Sequence, residues 1–165
     1  MLYNDEYYMN LALREAKKAF KKGDVPVGAV IVSNITHEVI SCAHNLREIN
    51  NDISAHAEIL TIKKAEKKIE NWRLEDTTIY VTLEPCLMCA GAIIQSRISR
   101  LVFAAFEDKT GAFGSIIDVT KIYKNSLTIT HGVCEKESKK LLKEFFNNKR
   151  IWIEKNIKNS EIFLK

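Results

Sequence analysis

The sequence has few residues that break or staple a chain: 2 Pro, 6 Gly and 4 Cys among 165. So little Gly and Pro excludes collagen-like and low-complexity readings. Four Cys are too sparse for a disulfide framework at this length and argue for metal or catalytic use in a reducing compartment. Long hydrophobic runs are missing too. The longest stretches without a charged side chain or a histidine, Val25 to Thr36 and Pro85 to Ser96, hold 12 residues each, against about 20 for a membrane-spanning helix. No membrane partner is therefore expected. The opening Met1 to Asn10 has two acidic residues and no basic one, unlike a signal or transit peptide, so the expected location is cytoplasmic. What is present is ordinary: 46% hydrophobic and 28% charged residues, which excludes a disordered chain and fits one globular domain over residues 1–165.

Net charge is absent from most of the chain. Residues 1–134 carry 16 Lys or Arg and 16 Asp or Glu, whereas Glu135 to Lys165 carry 9 basic and 5 acidic residues, the whole excess of +4. A basic end of this kind suits a polyanion, though a solvated helix face produces the same pattern.

Apolar residues at Tyr8, Leu11, Ala12, Ala16, Ala19 and Phe20 recur at helical spacing, with Asn4 as cap and Gly23 just past the end. Val25–Val32 and Val39–Ala43 are β-branched runs around a polar turn at Asn34, which predicts a hairpin. Asn45–Ser54 reads as a loop, and His56–Lys68 as a second helix with lysines opposite its apolar side. Thr78–Leu83 is a strand, followed at once by a helix from Pro85 to Ser96, since Pro is tolerated in a first turn. Leu101–Ala105 and Leu127–His131 are strands flanking a long Gly-punctuated connection, Phe106–Lys124, and Glu135 to about Lys155 forms a final helix. Five strands interleaved with helices after a hairpin imply a mixed five-stranded sheet between helix layers.

Two clusters carry the chemistry, His56-Ala57-Glu58 and Pro85-Cys86-Leu87-Met88-Cys89, each at a predicted helix start. Cys86 and Cys89, three apart in a first turn, turn their sulfurs the same way, and the positive helix end favours thiolates. With His56 as a neutral imidazole, the two-sulfur, one-nitrogen set selects zinc, one ion per chain. Three ligands leave a fourth place for a water to be activated, and Glu58 is then free to move protons. A closed structural zinc site remains the alternative and needs a fourth ligand such as Cys42, His44, His131 or Cys134. Backbone N–H groups around Ala57 and Cys86 are candidates to stabilise a tetrahedral centre.

HxE followed by PCxxC is a known signature of zinc nucleobase deaminases. Together with Val25-Pro26-Val27-Gly28-Ala29-Val30, Thr82 to Ala92, Ser96-Arg97-Ile98 and Lys109-Thr110-Gly111-Ala112, it makes most of the chain resemble the bacterial tRNA-specific adenosine deaminases. That resemblance implies a three-layer α/β/α, cytidine-deaminase-like fold, a homodimer, and hydrolytic conversion of the wobble adenosine of an arginine tRNA anticodon to inosine. It also implies that Asn45 reads the base, where an amide can bond a purine edge in both directions. The segment Glu107 to Lys109, Phe145 of the Phe145-Phe146 pair, and Lys149-Arg150 are implied to contact the anticodon stem-loop. Two departures stand out. The family's Asp before Lys-Thr-Gly is replaced by Glu107 with Asp108 beside it, and Asn147-Asn148 interrupts the basic run after the Phe pair. The tail Ile151–Lys165 matches no motif of the family, and its plain reading is packing on the core. A deaminase of free guanine or cytidine would share the zinc motif without needing the basic helix, and a noncatalytic zinc RNA-binding module would keep the charge without needing Glu58.

Overall fold

The computed structural model describes residues 4–123 and 126–162. Met1 to Tyr3 of the opening segment, Lys124 at the end of the long connection, and residues 163–165 of the basic end lie outside them. Helix α1 spans Asp5–Lys21 and is capped by Asn4, whose side chain accepts the backbone N–H of Tyr7. Strands β1 (Gly28–Ser33) and β2 (Val39–His44) form the expected hairpin, antiparallel and with a register shift between Ile31 and Val32. Val25 to Val27, expected in the first strand, precede it. Helix α2 (Arg47–Asn50) is a single turn inside the expected loop, and α3 covers Ala57–Ile69 with His56 as its cap residue. Strand β3 (Thr77–Leu83) leads to α4 (Leu87–Gln95), and β4 (Arg100–Ala105) to a connection holding one 3-10 turn, Val119–Lys121. Strand β5 (Thr128–His131) and helix α5 (Glu135–Ile162) complete the chain.

The sheet order is β2-β1-β3-β4-β5, antiparallel across β2-β1-β3 and parallel across β3-β4-β5. Side chains alternate along each central strand. Ala29, Ile31, Ile79, Val81, Leu101 and Phe103 face the layer of α3 and α4, and Val30, Val32, Tyr80, Val102 and Ala104 face α1. Helix α5 packs beside α1 on that second face, touching β3 and β4. The three-layer α/β/α arrangement with a mixed five-stranded sheet is the one expected. Gly28 lets α1 approach, because a Cβ there would lie 2.1 Å from the carbonyl oxygen of Ala12.

Two expectations are corrected. Pro85 lies before its helix, and Cys86 takes the cap position. The last helix does not stop near Lys155 but continues to Ile162, and its Ile151, Trp152 and Ile153 are exposed, Trp152 by 67%, so this part of the tail does not pack on the core. Among the described residues no helix is long and apolar enough to cross a membrane.

Candidate active site

The parallel half of the sheet ends where β3 runs into α4, and the start of α3 faces the same place. This brings the two sequence clusters together at two helix N-termini. His56 Nδ1 lies 3.7 Å from Cys86 Sγ and 3.5 Å from Cys89 Sγ. Zinc bonds of about 2.3 Å to sulfur and about 2.0–2.1 Å to nitrogen, opened to a tetrahedral angle, put sulfur and nitrogen about 3.5 Å apart. The three donors therefore fit a zinc ion. Among the described residues they are the only cluster of three or more such donors placed to hold a metal ion, and none of the four possible extra ligands joins it. Cys42 and His44 turn to Glu15, His131 stacks on Phe106, and Cys134 lies against Asn10.

The three side chains shift one another's protonation. The Cys86 thiol is pushed down to about 4, first by the hydrogen bond it shares with Cys89 and then by His56. Cys89 is driven the other way by its bond to Cys86 and by burial, and the hydrogen bond to Cys86 holds His56 more basic than usual. Glu58, one residue into α3 after Ala57, is buried, and burial above all raises its carboxyl above the usual carboxylate range. A carboxyl kept from water but next to a candidate metal site is suited to exchanging protons.

A cavity opens over these groups, lined by His56, Ala57, Glu58 and Cys86 together with Val25, Val27, Asn45, Arg47, Glu84, Glu107 and Thr110. Asn45 is buried, and its Nδ2 donates to Asp24 Oδ1 at 2.8 Å and to the carbonyl of Val25 at 3.3 Å. The amide is thus not free to bond a base edge in both directions; only its carbonyl oxygen is uncommitted. Glu107 lines the cavity, yet its carboxylate accepts the backbone N–H of Lys109 in its own turn at 2.9 Å. Lys109 is exposed and off the cavity wall.

Phe145, Lys149 and Arg150 are not brought to this cavity. Phe145 is buried edge-on to Phe20, and with Lys149 and Trp152 it lines a second, apolar cavity between α1 and α5. Phe146 is the exposed member of the pair. Lys149 reaches near α2, where it helps Arg47 hold the Glu48 carboxyl below the usual range. Arg150 donates along its own helix to Asn147 Oδ1 at 2.8 Å.

Sequence reasoning passed over three residues that shape the cavity. Arg47 stands on its wall. Glu84, buried, accepts the backbone N–H groups of Glu107 (3.0 Å), Phe113 (2.8 Å) and Ser115 (3.2 Å) and the Ser115 hydroxyl, so it holds the whole turn after β4. Gly111 is required there, since a Cβ would lie 2.3 Å from Glu84 Oε2. Asp24, completely buried, accepts from Asn45 and from the N–H groups of Val25, Glu48 and Ile49. No local pattern in the sequence marks Asp24 as buried; only the fold shows that this charged residue has built partners.

The comparisons with known proteins agree with this geometry. A family model described as MafB19-like deaminase matches residues 3–150. The tRNA-specific adenosine deaminase of Bacillus subtilis (strain 168) is 47% identical over 148 residues, covering 88% of this chain and 91% of that protein. The chain belongs to the tRNA-specific adenosine deaminase family. Among solved structures, one from a study of A-to-I editing by tRNA:A34 deaminases at the wobble position of transfer RNA is 38% identical with a TM-score of 0.78, covering 82% of this chain and 99% of that one. The guanine deaminase from Nitrosomonas europaea also superposes with a TM-score of 0.78, covering 88% of this chain and 86% of that one, but at 23% identity it speaks for the deaminase fold alone.

Proposed function

We propose that this member of the family deaminates the wobble adenosine of a tRNA anticodon to inosine by zinc-dependent hydrolysis, arginine tRNA being the substrate the family resemblance implies. The observation that carries it is the juxtaposition of three metal donors at zinc spacing with a buried, proton-avid carboxyl on the same cavity wall. His56, Cys86 and Cys89 would hold one zinc ion, which when bound supplies Lewis-acid activation of water. Glu58 takes a proton from the attacking water as it adds to C6 of the adenine, and returns protons to the ring nitrogen and the departing amine. Backbone N–H groups at the starts of α3 and α4, around Ala57 and Cys86, face the charge that develops at the tetrahedral carbon. Asn45 orients the base.

RNA is held by a wider surface. Glu107 and Lys109 flank the cavity mouth on the turn held by Glu84, and Lys149 and Arg150 belong to the basic α5, whose Lys149 reaches toward the Arg47 turn, whereas Phe145 of that helix is buried against Phe20 and offers no surface to RNA. A homodimer fits the exposed apolar side chains of Leu87 and Met88 on α4 and of Ile116 and Ile122 in the long connection, which a second copy would cover. Cytoplasmic action follows from a tRNA substrate.

The alternative is a free-base deaminase on the same fold. The zinc-loaded protein, given an anticodon stem-loop, adenosine, cytidine and guanine in parallel, is expected to release ammonia from the stem-loop and at most weakly from the rest. Efficient turnover of guanine or cytidine with an inert stem-loop would favour the alternative and leave the metal site and Glu58 in place.

A further inference from the structure

Asn45 stands on the cavity wall with His56 and Glu58, but what it can offer a substrate is decided behind it. Both N–H bonds of its amide are taken, one by Asp24 Oδ1 at 2.8 Å and one by the Val25 carbonyl at 3.3 Å. A carboxylate cannot donate a hydrogen bond, so the amide nitrogen must face Asp24, and the two orientations of an amide that are often interchangeable are not so here. Among the described residues the Asn45 carbonyl oxygen accepts no hydrogen bond, while no buried side-chain nitrogen or oxygen lacks a partner, so that oxygen is open rather than sealed in.

We propose that Asp24 is a positioning residue that fixes the Asn45 amide with its carbonyl oxygen toward the substrate, making Asn45 a hydrogen-bond acceptor only. The inference rests on the proposed role of Asn45 in orienting the base and goes beyond it by naming the group that sets its direction. Asp24 is itself immobile. Its side chain is completely buried, its Oδ1 also accepts the N–H of Val25 at 2.9 Å, and its Oδ2 accepts the N–H groups of Glu48 at 3.0 Å and Ile49 at 3.3 Å on the α2 turn. One carboxylate thereby locks the segment before β1, the end of β2 and the turn bearing Arg47 into a single wall. The substrate group that Asn45 meets must be an N–H or O–H donor.

In Asp24→Asn the two α2 N–H groups still require an acceptor. The new amide nitrogen then turns to Asn45, and the Asn45 amide must turn over to present N–H instead of oxygen. Asp24→Ala removes the lock altogether. On the zinc-loaded protein and an anticodon stem-loop, each substitution is expected to slow single-turnover deamination by roughly tenfold to a hundredfold, the scale of a misoriented substrate, with zinc content unchanged. The decisive readout is the same pair of substitutions in an Asn45→Ala background, where each should cost less than about twofold because the residue through which Asp24 acts is gone. A full loss retained in that background would overturn the inference and assign Asp24 to the fold or to α2. If Asp24→Ala fails to fold, Asp24→Asn, of the same size, carries the comparison. If Asn45→Ala alone deaminates at the wild-type rate, the role of Asn45 fails, and the inference built on it falls with it.

Discussion

Glu58 is held one residue beyond the start of α3, where burial raises its carboxyl above the usual carboxylate range and the neighbouring His56, Cys86 and Cys89 all act on it. Its role separates cleanly from that of the donors. Glu58→Ala should keep about one zinc per chain and lose roughly a hundred- to ten-thousand-fold in turnover, with Glu58→Gln nearly as poor. Cys89→Ala, leaving two donors, should lose most of the metal. Metal analysis beside turnover checks both. Zinc lost from Glu58→Ala would make it a ligand, and full zinc in Cys89→Ala would break the proposed set. At this scale the site was legible where the information is local: two cysteines three apart and a His two before a Glu speak for themselves once helices start there. Asp24 and Glu84 were not, because apart from Val25 their partners lie 21 to 31 positions away and only the fold brings them near.

The elements were legible where periodicity is strong, as in α1, the hairpin and α3, since a buried face writes its own repeat into the chain. The single turn α2 has no buried residue and so leaves no repeat, and α5 outruns its apolar pattern because Ile151, Trp152 and Ile153 face solvent. Which strands pair in parallel is also not a local property. That half of the sheet is pinned by Arg100 of β4, which donates in two parallel bonds to Asp5 at the start of α1, at 2.8 and 2.7 Å, and to Thr130 of β5 at 3.0 Å. The Arg100 bond, opposed by burial and helped by the Tyr80 hydroxyl, holds the Asp5 carboxyl below its ordinary range. A depressed folded-state value means that the stabilisation is present above the unfolded value, about 3.9, and is lost as pH falls through the folded one. Denaturation of wild type and Asp5→Asn should differ by on the order of 1 kcal/mol at neutral pH, since the pair is partly exposed, and converge as the pH falls through the folded-state value. A difference independent of pH would mean that the ion pair contributes nothing.

Over the whole molecule, charge and chemistry are divided between the two ends of the chain. Every net positive charge lies from Glu135 onward, and the proposed metal donors lie in a segment with none. If α5 neutralises phosphates, stem-loop binding must weaken with salt, by a log-log slope of about −0.7 per contact on single strands and about −0.9 on duplex. Lys149→Ala and Arg150→Ala should each flatten it by up to about one unit, without touching zinc content. Unchanged slopes in both would take the RNA surface off this helix.

The most direct test of the central claim is to map inosine in a full-length tRNA that carries adenine at the wobble position, after incubation with zinc-loaded protein and, in parallel, with Glu58→Ala at equal zinc content. We expect inosine at that one position with the wild type, and none above background with the variant. An unmodified anticodon, or equal inosine formation by Glu58→Ala, would contradict the assignment.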